Sequence, residues 1–248
     1  MTGEGTVAGK REEPANRFDL SVVADPLVRD ALGALLQDWR MAKRWDDLPP
    51  AHLAVHREIL RSYIAIAHPP PRADLAGIAG GDPGKALDDL VARDLILLEK
   101  GEVVGAYPFT SRPARHRVVI GGREVGAMCA IDALGAGAMA RREAQVRADC
   151  AQCGAPIRIS TGAGGLGIDR VEPGATVIWA GVEPVSGCAA DTQCRSMLMF
   201  CDAEHLGAWR AAHAPAGTGF HLTPVQAVEL GAAIFRPFLP EPAGKDAR

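Results

Sequence analysis

Met128-Cys129-Ala130-Ile131-Asp132-Ala133-Leu134-Gly135 sets a thiol and a carboxyl three residues apart. On a helix that spacing presents both side chains on one face, where they address a single ligand. Near a helix N-terminus the macrodipole favours thiolate, and a carboxyl in an apolar pocket holds its proton more tightly than in water. One side chain then grips a soft electrophile while the other exchanges a proton. The alternative is a buried cysteine acting as a small apolar side chain beside a capping aspartate, and spacing alone leaves both readings open.

Four further cysteines, Cys150, Cys153, Cys188 and Cys201, together with Cys194, complete a set of six confined to residues 129–201. In a long chain of this kind, clustered thiols suggest metal chemistry or catalysis rather than a disulfide scaffold. Cys150-Ala151-Gln152-Cys153-Gly154 is a CxxC, half of a zinc knuckle or a redox pair. A second CxxC is missing. A structural Zn²⁺ would have to borrow Cys194, Cys201 or a histidine, so the preferred reading of Cys150 and Cys153 is a reduced structural pair. His52 and His56 have a metal-capable i, i+4 spacing but lack the Glu that a metalloprotease motif requires, and read as surface histidines on a helix. Gly80 to Lys85 lacks the first Gly and the Ser or Thr of a phosphate loop, and neither a GxSxG nor a Gly-rich dinucleotide fingerprint occurs.

The elements that must position these residues follow from periodicity. Residues 1–20 mix Gly, Pro and charge without apolar period and read as a flexible tail. Leu27, Ala31, Leu32, Leu35, Leu36 and Trp39 form one stripe on a helix from Asp25 to Met41. A second helix runs from Pro49-Pro50 to His68, followed by two short helices around Gly80-Gly81-Asp82-Pro83. Strands at Leu95–Glu99 and Glu102–Pro108 complete the order of a winged helix-turn-helix. Asp82, Asp88, Asp89 and Asp94 outnumber Lys85 and Arg93 on its candidate recognition helix, which argues against DNA.

Downstream, Arg115–Ile120 reads as a strand and Val125–Arg142 as a long Ala-rich helix. Short runs at Gln145–Ala148, Ile157–Thr161, Val177–Ala180 and Met197–Phe200 suit a small mixed or antiparallel sheet, closed by helices at Ala203–Ala214 and Thr223–Phe235. The expected fold is α+β: a tail and helix over 1–45, a winged-helix-like module over 46–110, a sheet domain flanked by helices over 111–240, and a tail over 241–248. In 248 residues, 48% are hydrophobic and 23% charged, the composition of a globular protein. A net charge of −3 gives no reason to expect a polyanionic partner. With neither a transmembrane run nor a signal-peptide pattern, the expected location is the cytoplasm.

The order of these features resembles the organomercurial (alkylmercury) lyases. The likeness rests on Ala127-Met128-Cys129-Ala130-Ile131-Asp132-Ala133-Leu134, Cys150 with Gly154-Ala155-Pro156, and Cys194 six residues before Phe200, and covers about residues 50–238. The resemblance implies that Cys129 and Cys194 are the mercury-binding thiols, Asp132 the proton-relaying carboxyl and Cys150 a structural cysteine. It implies protonolysis of carbon–mercury bonds, giving hydrocarbon and sulfur-bound Hg(II), without a resident cofactor. It also implies a small organomercurial substrate, and low-molecular-weight thiols or a mercuric reductase to take the metal. Cys153, Cys188 and Cys201 are accessory or structural thiols on this reading. Two alternatives stand beside it: a thiol-based metal-binding or sensing protein, and a lyase-fold enzyme acting on another Cys-bound substrate. The lyase reading requires two sulfurs and a carboxyl to converge in one apolar pocket.

Overall fold

A computed structural model describes residues 18–182, 187–213 and 218–241. Most of the expected N-terminal tail, Ala214 at the end of a predicted helix and nearly all of the C-terminal tail lie outside those residues. Residues 18–20 were expected to belong to the tail; instead Asp19 N–H donates to the Ala233 carbonyl at 2.8 Å and Arg236 pairs with the Asp19 carboxylate at 2.6 Å.

Asp25 starts α1 (Pro26–Leu35) by accepting the Leu27 N–H at 2.8 Å, with Pro26 in the first turn where its missing N–H costs nothing. The single helix expected to reach Met41 is broken. The amides of Gln37 and Asp38 donate to the carbonyls of Ala34 and Leu35, a tightening to 3₁₀ geometry that ends α1 before α2 (Trp39–Lys43) begins. The Trp39 side chain, counted in the apolar stripe, lies outside the described residues. α3 (Pro50–Ile66) stops at Ala67, whose φ of 62° is left-handed, ahead of the triple proline. α4 (Arg72–Ala79) and α5 (Gly84–Ala92) follow.

A hairpin of β1 (Ile96–Glu99) and β2 (Glu102–Ala106) comes next, turning at Lys100-Gly101. β3 (Phe109–Thr110), β4 (His116–Ile120) and β5 (Arg123–Ala127) continue the chain into α6 (Ala130–Ala140). Val125–Ala127 is therefore strand where a helix was expected. Arg123 and Glu124 are exposed while Val125 and Ala127 are buried, the burial pattern of a strand half covered by a core, and the helix begins only at a side-chain cap on residue 129.

β6 (Ala144–Asp149), β7 (Pro156–Thr161) and β8 (Ile168–Glu172) complete an antiparallel eight-stranded sheet of order β1-β2-β3-β5-β4-β6-β7-β8, so the β1–β2 hairpin is continuous with the strands that follow residue 110. β9 (Val177–Gly181), β10 (Met197–Phe200), α7 (Ala203–His213) and β11 (Gly219–Leu222) follow, and their three strands make a second antiparallel sheet, β10-β9-β11. α8 (Pro224–Phe235) closes the core, started by a reciprocal capping box between Thr223 and Gln226.

α6 is the structural centre: all of Ala130–Met139 is buried, the pattern of a helix enclosed on every side. Its glycines explain how. A Cβ on Gly135 would stand 2.6 Å from the Gly231 carbonyl oxygen, and one on Gly231 would stand 2.7 Å from the Gly135 Cα, so α6 and α8 touch backbone to backbone. No helix among the described residues is long and apolar enough to cross a membrane.

Candidate active site

β5 delivers the chain through Met128 to Cys129, which is extended (φ −150°, ψ −179°) and serves as the N-cap of α6. Its sulfur accepts the Asp132 N–H at 3.4 Å, the position a serine or aspartate oxygen takes in an ordinary cap. The thiol and the carboxyl thus belong to a helix start, rather than to the middle of a helix face as spacing suggested. Cys194 arrives from the other sheet, on a 3₁₀ turn (Gln193–Ser196) leading into β10. Its Sγ lies 3.8 Å from Asp132 Oδ2, and one ligand atom from each of Cys129, Asp132 and Cys194 lies within 4.8 Å of the others. All three are buried. Met197 places its Sδ 3.5 Å from Cys129 Sγ, adding a soft wall.

Burial governs the protonation of this group. It pushes the Asp132 carboxyl up to about 7, against hydrogen bonds from the thiols and the positive charge of Arg44, which favour the carboxylate. Burial also raises the Cys129 thiol, outweighing the hydrogen bonds with Cys194 and the Asp132 N–H that favour thiolate, so the thiolate expected at a helix start is not favoured here. Cys194 is pushed well above its ordinary value by its hydrogen bond with Cys129, by burial and by the negative charges around it. The resting site is two protonated thiols beside a carboxyl poised between its two forms near neutral pH.

The short segment just before the Cys194 turn, Ala189–Asp191, is pinned by groups from the N-terminal half. Buried Asp94 accepts the Tyr107 hydroxyl at 3.1 Å and the Ala189 N–H at 3.1 Å, while the Tyr107 oxygen accepts the Ala190 N–H at 2.7 Å. Asp94, counted as a surface charge that would repel DNA, is 7% exposed and spends its charge inside the fold. Asp89 is also engaged, with His52 and with Arg93, both at 2.7 Å. Half-buried Cys188 sits against the Tyr107 hydroxyl at 3.5 Å, outside the trio.

A cavity of about 450 Å³ opens onto Cys194. Its lining mixes Met128, Leu198 and Trp209 with Arg112 and Asp191, so the mouth is polar and partly charged rather than the apolar pocket expected. Arg112 is held there by Glu99 at 2.6 Å and Asp191 at 3.1 Å. Of the trio, Cys194 lines this cavity, while Cys129 and Asp132 are not part of its lining.

The remaining cysteines separate from this site. Cys150, Cys153 and Cys201 gather with His205, and Cys194 is not among them. His56, expected at the surface, is fully buried between Trp45 and Phe238, and neither ring nitrogen has a hydrogen-bond partner. Burial drives its pKa down to about 3, so it stays neutral. The face of α3 that carries it packs inward.

Residues 109–236, which hold every residue of the trio, match a family model described as alkylmercury lyase (MerB). The chain belongs to the alkylmercury lyase family. A solved structure titled the mercury-bound form of MerB2 shares its fold: TM-score 0.69 at 23% identity, covering 87% of this chain and 100% of that one. No curated protein matches the chain. Within this alkylmercury lyase family member, sequence reasoning missed Arg44, Asp94, Tyr107 and Met197. None carries a local motif; each reaches the site through tertiary packing from another element.

Proposed function

We propose that this chain cleaves the carbon–mercury bond of small organomercurials by protonolysis, with Cys129 and Cys194 as the mercury-binding thiols and Asp132 as the proton carrier. The observation that carries the reading is the meeting of two buried sulfurs and a carboxyl of pKa about 7 within 4.8 Å, in a family of alkylmercury lyases. Mercury is soft, and thiolates are the side chains that bind such metals best.

Cys194, the member of the trio that lines the cavity, takes R–Hg⁺ first and loses its proton as it does so. Cys129 then adds its sulfur to the same mercury and passes its proton to the Asp132 carboxylate, whose backbone N–H its sulfur already accepts. Two sulfur donors load electron density onto mercury and make the carbon more basic. Protonated Asp132 delivers H⁺ to that carbon, and the electron pair of the carbon–mercury bond becomes the new C–H bond. The balance is two thiols plus R–Hg–X giving R–H, HX and a mercury bis-thiolate, with no change of oxidation state. No organic cofactor enters. Low-molecular-weight thiols then exchange the Hg(II) out, to the medium or to a mercuric reductase.

The test is hydrocarbon release. With phenylmercury and excess small thiol, the native chain yields benzene, and Cys129→Ser, Cys194→Ser and Asp132→Asn each suppress it. Mercury binding by the native chain without benzene would instead favour a thiol-based metal-binding or sensing protein.

A further inference from the structure

Cys150 follows β6, and Cys153 lies in the turn between β6 and β7; Cys201 follows β10, and His205 lies in the first turn of α7. In sequence this is C-x₂-C followed by C-x₃-H, and the fold brings the two halves together. Cys153 Sγ is 3.4 Å from Cys201 Sγ; His205 Nδ1 is 3.2 Å from Cys201 Sγ and 3.9 Å from Cys150 Sγ. All four ligand atoms lie within 4.8 Å of one another. A tetrahedral Zn²⁺ with bonds of about 2.3 Å to sulfur and about 2.0 Å to nitrogen separates its ligands by about 3.6–3.8 Å; the three separations of 3.2, 3.4 and 3.9 Å lie on either side of that range, within a few tenths of an ångström of it.

The turn that carries the pair has the backbone of a metal knuckle. Cys150 N–H donates to the Ala155 carbonyl at 2.8 Å, Gly154 N–H to the Cys150 carbonyl at 2.9 Å, and Ala155 N–H to Cys153 Sγ at 3.5 Å. Gly154 has φ +74°, a conformation that favours glycine and leaves the turn tight enough to aim both sulfurs the same way. On the other half, Asp202 accepts the His205 N–H at 2.8 Å and holds the start of α7, setting the imidazole over the thiols. Its second oxygen lies 3.5 Å from His205 Nδ1, beside the ring nitrogen that faces the sulfurs.

We infer that Cys150, Cys153, Cys201 and His205 form a closed structural Zn²⁺ site, separate from Cys129, Asp132 and Cys194. Three thiols and an imidazole fill four positions and leave none for a substrate, the arrangement of structural rather than catalytic zinc. The ion fastens the β6–β7 turn of the large sheet to the end of β10 in the small one, where the Ala151 N–H already donates to the Met199 carbonyl at 2.9 Å. Binding releases the protons of the three thiols and changes no oxidation state.

The experiment uses the untagged full chain, reduced, dialysed and free of mercury, so its outcome is independent of the proposed mercury chemistry. Native protein retains one Zn²⁺ per chain, and Co²⁺ in its place gives the strong visible absorption of a tetrahedral site with a thiolate-to-metal charge-transfer band. Cys153→Ser, at an exposed position where folding is not at stake, and His205→Asn each weaken metal binding by more than about a hundredfold, beyond the cost of losing an outer-shell partner. Cys194→Ser keeps the metal and the cobalt spectrum. Failure of the reduced native chain to take up Zn²⁺ or Co²⁺ stoichiometrically overturns the inference, as does a metal lost with Cys194→Ser and kept with Cys153→Ser. A Cys153–Cys201 disulfide that, once reduced, leaves a chain unable to bind either ion overturns it too.

Discussion

Strand β10 carries a sulfur group at each end, and the two differ in almost every respect except sulfur. Before it, Cys194 meets Cys129 and Asp132 in a site where every side chain is buried and the third member is an acid. After it, Cys201 meets Cys150, Cys153 and His205 at an edge where one cysteine is exposed and the fourth member is a base. An acid beside two thiols supplies a proton that can leave with a product. An imidazole beside three thiols supplies the fourth ligand that three thiolates lack. Thiol clusters seven residues apart in sequence are thus suited to opposite tasks, one to reaction and one to fastening, and the companion residue distinguishes them.

The largest expected effect breaks the reactive group alone. Asp132→Asn keeps the shape and removes the transferable proton, so hydrocarbon release falls by about 10²–10⁴, the usual worth of a positioned acid. The same variant leaves the cobalt spectrum at the Cys150 group unchanged. A loss under tenfold in turnover would show that the carboxyl does not deliver the proton.

Stability against pH sharpens the same contrast. The folded-state pKa of Asp132 is about 7 against an ordinary 3.8, so the folded chain holds this proton more tightly than the unfolded chain does. Its contribution to stability is full below pH 3.8 and is lost as pH rises through 7. Asp132→Asn abolishes that loss and is more stable than native protein at pH 8, by on the order of a few kcal/mol in urea unfolding. His56 has the opposite sign: its pKa is lowered to about 3, so its contribution is present above pH 6.5 and is lost as pH falls toward 3. His56→Phe therefore flattens the acid limb of the stability curve.

A smaller effect probes the pin on the segment that leads into the Cys194 turn. Tyr107→Phe removes the hydroxyl that joins Asp94 to the Ala190 N–H. At about 1 kcal/mol for a hydrogen bond of this kind, turnover drops roughly fivefold, with mercury binding by the product complex retained. An unchanged rate would mean that the Cys194 turn is held by its other contacts.

Much of this architecture was legible in the sequence where local chemistry decides it. Lys100-Gly101 marked the β1–β2 hairpin, Met197–Phe200 was a strand as read, and Thr223-Pro224 started α8. The start of α6 was misplaced because Ala and Val say little about where a helix begins, while the cap that decides it is a sulfur. β8 and β11 are not legible in the sequence: Ile168-Asp169-Arg170-Val171-Glu172 carries three charges in five residues, and Gly219–Leu222 is a strand only through its pairing with β9. In the site, Cys129 and Asp132 were legible from spacing, whereas Cys194 entered through family resemblance because no local pattern ties residue 194 to residue 129. Cys201 and an unspecified histidine are legible as ligands that Cys150 and Cys153 could borrow, but which histidine is not: the C-x₃-H that ends at His205 meets the C-x₂-C only through the fold.

Mercury X-ray absorption tests the central claim most directly. After one equivalent of phenylmercury has been turned over by the native chain, the metal has two sulfur neighbours; in Cys194→Ser, which does not release benzene, it keeps its phenyl carbon and has one sulfur. Mercury surrounded by three sulfurs and a nitrogen, with a spectrum indifferent to Cys194→Ser, would place it at the Cys150 group and contradict the account.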